Sequence, residues 1–111
     1  MKRRGEDDAF LDFVVDQLAD WRTVDMRRMF GGTGLYADEV FFGVVYRGRL
    51  YFKVDEDSVG RFEAEGMGPF RPNQRQVLRT YYQVPAAVLE DRDRLAEWAR
   101  RAVAAQQDSQ A

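Results

Sequence analysis

Cysteine and histidine are absent from the 111-residue chain, proline occurs three times, and lysine occurs only at positions 2 and 53. The missing Cys excludes disulfides and thiolate nucleophiles. The missing His removes imidazole catalysis and, with Cys, the usual zinc ligands. No run approaches the ~18–20 apolar residues of a membrane span. Met1-Lys2-Arg3-Arg4 resembles the basic start of a signal peptide, but Glu6, Asp7 and Asp8 follow where its apolar core would lie. The cytoplasm is the expected compartment, and no membrane partner is expected. With 17 Lys+Arg against 19 Asp+Glu, the net charge is −2, which argues against whole-molecule attraction to nucleic acid.

What is present describes a globular domain: 45% hydrophobic, 14% aromatic and 32% charged residues. A chain of this size buries roughly two thirds of its unfolded surface, enough for a core without staples. One domain over residues 6–105 is expected, with a frayed tail at 106–111 that has nothing to bury.

Along the chain, Phe10, Phe13, Val14, Leu18 and Trp21 recur at three- and four-residue spacing, predicting a helix over Asp8 to Trp21. Asp8, Asp12, Asp16 and Asp20 form an acidic stripe on its other side. The stripe reads as a solvated face in preference to a docking edge or cation site, since carboxylates one turn apart do not converge on one ion. Met26 to Tyr36 is read as one strand, with a turn at Ala37-Asp38-Glu39. Phe41 to Tyr46 is apolar on both faces of its pleat, a strand covered on both sides. Leu50, Phe52 and Val54 alternate with Tyr51 and Lys53, a half-buried strand entered through Arg47-Gly48-Arg49. Asp55 or Asp57 can cap a short helix carrying Val59, Phe62 and Met67 and ending at Gly66. Gly68 to Asn73 is read as a loop, Val77 to Val84 as a strand closed by Pro85, and Val88 onward as a helix. In that helix Glu90/Arg94 and Glu97/Arg101 are expected as exposed pairs. The order α-β-β-β-α-β-α defines an α+β fold with helices packed on a four- to five-stranded antiparallel sheet.

At Met29-Phe30-Gly31-Gly32-Thr33-Gly34-Leu35-Tyr36 the sequence resembles the N-terminal domain of the TfoX/Sxy family. The likeness continues through Phe42-Gly43-Val44-Val45, Leu50 to Asp55, Gly68-Pro69-Phe70, Tyr81 to Pro85 and Trp98-Ala99, covering the chain from the first helix to about Ala105. The resemblance implies a fold similar to secretion-chaperone-like domains and an association with bacterial competence and transcription regulation. Competence regulators of the family carry a second, helical C-terminal domain, so this chain is expected to be a stand-alone N-terminal-type protein. The family transfers no catalytic residues, and Met29, Phe30, Gly31, Gly32, Gly34 and Tyr36 are read as a structural motif.

Few other features suggest chemistry. Gly31-Gly32-Thr33-Gly34 lacks the strand-to-helix context and the Lys of a phosphate loop, so a bulge or close backbone approach is preferred. Arg27, Arg47, Arg49, Lys53 and Arg71 form a candidate interaction surface that, with Tyr51, could take single-stranded nucleic acid. Solvated arginines balanced by the acids are the preferred alternative. Lys53 as a nucleophile is weighed against a surface role, and Met26, Met29 and Met67 as a groove against gap-filling. Tyr81 and Tyr82 point to opposite faces, one core and the other exposed or helix-covered. Trp21 and Trp98 are core anchors. An enzyme would need a polar cavity near Gly31 to Gly34 with Lys53 or Asp55. No catalytic set, cofactor or metal site can be assembled. The expected role is a non-enzymatic regulatory module with a protein partner, a homodimer included. Nucleic-acid binding through the basic hairpin is the alternative, and a small-molecule-binding protein or enzyme a more distant one.

Overall fold

The computed structural model describes residues 2–29 and 31–110, with side chains for residues 8–29 and 31–109. Phe30 of the glycine-rich motif lies outside the described residues. The elements run α1 (Lys2–Leu18), β1 (Asp25–Met29), β2 (Gly32–Ala37), β3 (Val40–Tyr46), β4 (Arg49–Lys53), α2 (Val59–Ala64), β5 (Pro69–Asn73), β6 (Gln76–Gln83), α3 (Ala86–Leu89) and α4 (Arg92–Gln110). The fold is α+β, as expected. Its antiparallel sheet has six strands in the order β1-β2-β3-β4-β6-β5, against the four to five expected. Both additional strands come from misread segments. Met26 to Tyr36 is a hairpin, because the chain reverses just before Gly32, with Gly31 at φ 79°. Gly68 to Asn73 is an edge strand, where Pro69 and Pro72 are tolerated because an edge need not donate on both sides. At the C-terminal end α3 is separate from α4, and α4 is helical through Gln110, beyond the residue where fraying was expected to begin. Among the described residues no helix is long and apolar enough to cross a membrane.

Two-residue turns set the meander. Asp38 and Glu39 (φ 50° and 70°) join β2 to β3, and Arg47 and Gly48 (φ 50° and 75°) join β3 to β4. Positive φ at both central residues matches the strand twist, but it is uncommon for non-glycine residues. The first turn is held by two ion pairs, Arg22 to Asp38 and Arg27 to Glu39, the latter at 3.1 Å.

The main core lies between the sheet and the helices. Val14 and Leu18 of α1, Phe62 of α2, Val88 of α3 and Leu95, Trp98 and Ala102 of α4 meet Leu35, Phe42, Val45, Leu50, Phe52 and Tyr82. Trp21 lies past the end of α1 yet packs edge-on against Phe42 at 5.5 Å, and Trp98 meets Phe62 at 4.7 Å. Both are anchors, as expected, although Trp21 anchors the chain between α1 and β1.

The opposite face of the sheet has its own small core, built among the described residues from strand residues: Val44, Tyr51, Phe70 and Tyr81, flanked by Phe41, Tyr46 and Leu78. β5 lies beyond β6 in the sheet, yet Phe70 sits 4.6 Å from the Tyr51 ring and 5.3 Å from Tyr46. Tyr46 Oη donates to the Pro72 carbonyl at 2.8 Å. The β5–β6 ribbon therefore curls over this face, helped by two register breaks along β5. Tyr82 belongs to the helical core, whereas Tyr81 is buried by this ribbon-side cluster and is neither exposed nor covered by a helix.

Glu97 and Arg101, expected to pair within α4, pair across elements instead, and Glu90 caps α3 outside α4. Glu97 binds Arg61 of α2 at 3.1 Å, and Arg101 binds Asp55 at 2.9 Å. Arg92 reaches back to Asp16 at 3.4 Å and Asp20 at 3.2 Å. Half of the acidic stripe thus ties α1 to α4, and Gln17 donates to the Leu89 carbonyl at 3.0 Å beside it.

Close packing fixes the glycine of β2. A Cβ at Gly32 would stand 2.4 Å from the Val45 carbonyl oxygen, whereas one at Gly60 on α2 would meet nothing within 4 Å. Gly32→Ala is expected to lower unfolding free energy by about 1–3 kcal/mol. Gly60→Ala is expected to raise it by about 0.5 kcal/mol. Urea denaturation of the two variants measures both.

Candidate interaction surface

The five basic residues singled out in the sequence do not all gather on one patch, although Arg27 and Arg47 border one cavity. Arg27 lies on β1 and Lys53 at the end of β4. Arg47 and Arg49 flank the β3–β4 turn at the other end of that strand, and Arg71 stands on β5. Four residues separate Arg49 from Lys53 along β4, about 13 Å at ~3.3 Å per residue.

Arg27 and Lys53 instead bracket a row of rings on the helix-free face. The Arg27 guanidinium lies 4.2 Å from the Tyr36 centroid. Tyr36 stacks on Phe41 at 5.1 Å, Phe41 meets Tyr81 at 5.4 Å, and the Lys53 ammonium stands 5.6 Å from Tyr81. Side chains on neighbouring strands stand side by side, so these rings turn their faces toward one another and toward the two cations. Little ring face remains for a nucleobase. Burial, with the neighbouring Tyr36, pushes the Tyr81 phenol up to about 12. Lys53 is half-buried beside it, a packing role in place of a nucleophilic one.

The β1–β2 hairpin borders a cavity of about 330 Å³ between α1 and the sheet, lined by Asp8 and Leu11 of α1, Met26, Arg27 and Arg28 of β1, Gly31 to Thr33, Val45 and Arg47. Cross-strand partners share a face. Met26 opposite Leu35, and Arg28 opposite Thr33, therefore point to the helix side, while Asp25, Arg27 and Met29 point to the ring side. Met29 fills space against Gly34, and Met67 packs against the main core. Met26 does neither. At 48% exposure it is the most exposed large apolar side chain among the described residues, ahead of Phe13 at 40%.

β1 is an outer strand of the sheet, and its first four residues are exposed. Its opposite number, β5, carries two prolines that cannot donate and bends over the ring face. β1 has no proline, carries three charged residues, and among the described residues no strand pairs with its outer edge. Met26 to Tyr36, expected as one strand, holds both β1 and β2, with Gly31 in the turn between them.

Lys53 and Asp55 lie at the far end, around a second, shallower depression of about 560 Å³ that also includes Asp57, Arg79, Ala105 and Asp108. The glycine motif and the Lys53/Asp55 pair thus belong to different cavities. Asp55 has a structural task. Its carboxylate accepts from the Ser58 and Asp57 backbone N–H groups at 2.9 and 3.1 Å and from Arg101 at 2.9 Å, while the Asp55 N–H donates to Ser58 Oγ. Burial pushes the Asp55 carboxyl up, but Arg101 and the Ser58 bonds outweigh it and hold the group below its usual 3.8. Among the described residues no group of three or more acids is placed to hold a metal ion.

Residues 16–106 match the family model described as the TfoX N-terminal domain. No curated protein matches the chain.

Two titrations follow. A carboxyl lowered on folding stabilises the fold above its unfolded pKa, and that stability is lost as pH falls through the lower folded value. Wild-type stability is expected to fall below pH 3.8, and Asp55→Asn to flatten the fall while costing about 1–2 kcal/mol at pH 7, read by denaturation across pH. The Tyr81 contribution has the opposite sign: it is present below pH 10 and lost as pH rises toward about 12. Tyrosinate absorbance should show a late-titrating phenol that disappears in Tyr81→Phe.

Proposed function

The chain belongs to the TfoX N-terminal domain family, and from that premise we propose that it is a non-enzymatic protein-interaction module in the regulation of competence. Its contact is made along β1. The supporting observation is the combination at that strand of a backbone edge that no strand among the described residues pairs with and Met26, whose apolar side chain is exposed beside Leu11 at the mouth of the α1 cavity. An extended segment of a partner adds to such an edge through main-chain hydrogen bonds, and its alternate side chains meet the apolar border. The two longest helices, α1 and α4, are tied by Arg92 and packed into the main core. They serve to hold the sheet and leave its edge for recognition. Nucleic-acid binding has less support: of the five cations only Arg27 and Arg47 border one cavity, and Tyr36, Phe41 and Tyr81 pack on one another between Arg27 and Lys53.

A tagged wild-type chain is expected to capture a protein partner in its native cell. Met26→Asp, a change at an exposed position with little effect on folding, should reduce capture about tenfold or more, equivalent to ~1.4 kcal/mol per factor of ten. Arg71→Asp on β5 should leave it unchanged. Retention of the partner by the folded Met26→Asp variant contradicts the assignment to β1.

A further inference from the structure

We propose that the partner of the β1 edge is β1 of a second copy, joined antiparallel about a two-fold axis through Met26, so that two six-stranded sheets become one. The inference rests on the reading of β1 as the recognition edge and names its occupant.

The side-chain chemistry of the strand selects both the partner and the register. In an antiparallel pair related by a two-fold axis, residues directly opposite share a face, so only some registers are allowed. Centring the axis on Arg27 would place that guanidinium against its own copy. Centring it on Met26 places Asp25 opposite Arg27 of the other copy, twice, on the ring side of the sheet. It also places the exposed Met26 opposite itself on the helix side. Thr23 and Val24, which lead into β1, then continue the ladder opposite Met29 and Arg28. The strand is thus self-complementary in charge in one register and repulsive in the neighbouring one, which is how an open edge can be specific without being sticky.

Arg27 keeps donors free for this pairing. It lies over Tyr36, the strand neighbour of Asp25, and its Glu39 bond leaves further N–H donors for a carboxylate arriving from outside. The apolar border that Met26 shares with Leu11 is covered by the same association, with Met against Met as an adaptable contact. The 330 Å³ cavity then lies at the dimer seam on each copy.

Sedimentation equilibrium is expected to give a wild-type mass of twice 12.9 kDa. Asp25→Arg and Arg27→Asp should each shift it to the monomer, and the double exchange, which restores opposite charges across the axis, should recover the dimer. The absence of native cysteine permits a second, fold-independent readout. Met26→Cys should cross-link to a disulfide dimer on mild oxidation, because the two side chains face each other across the axis, whereas Phe13→Cys on α1 should not. A monomeric wild type that still binds another protein through Met26 overturns the dimer and leaves the interaction edge standing. A dimer unaffected by Asp25→Arg, by Arg27→Asp and by Met26→Asp overturns both.

Discussion

A strand that is apolar on both faces must be covered on both, and the architecture follows from how β3 meets that requirement. Phe42 and Val45 face the helices, while Val44, with Phe41 and Tyr46 beside it, faces away. A bulge opposite Leu35 and Tyr36 changes the alternation. α1 and α4 cover the first side. The second has no helix, so the chain uses its own sheet, curling β5 over until Phe70 packs on Tyr51 and the Pro72 carbonyl accepts from Tyr46. Using the β5 end as a lid protects that edge and leaves β1, at the other end, open.

The readable parts of this arrangement were those decided by local pattern. The face assignment of Leu50, Phe52 and Val54, the turns at Asp38 and Gly48 and the two-sided burial of β3 all follow from alternation or turn chemistry within a few residues, whereas the cap expected of Asp55 or Asp57 falls to Ser58, and Asp55 is held by distant Arg101. The family itself was legible from the separated blocks that begin at Met29. What could not be read depended on distant partners. Pro69 and Pro72 spell a loop locally, and only the availability of an edge beside β6 makes them a strand. Glu97 and Arg101 satisfy the helical salt-bridge spacing, yet each has a better-placed partner on another element. The basic residues illustrate the same limit: nearness in sequence across turns did not translate into nearness on the sheet, where Lys53 stands a strand's length from Arg49 while Arg27, distant in sequence, borders the same cavity as Arg47.

The functional reading therefore moved from side-chain charge to backbone availability. The five cations define no common surface, whereas β1 combines unpaired main-chain groups, an exposed Met26 and an alternating Asp25/Arg27 pair within five residues. The physical content of the proposal is that the two ends of one sheet are treated differently: β5 is spent on internal burial and β1 is reserved for association.

Amide hydrogen exchange measured across a range of protein concentration tests that asymmetry most directly. The account predicts that the outward-facing amides of Asp25 to Met29 become protected as concentration rises, while those along the free edge of β5 keep one rate throughout. Concentration-independent exchange at β1, or equal protection gained at both edges, would contradict it.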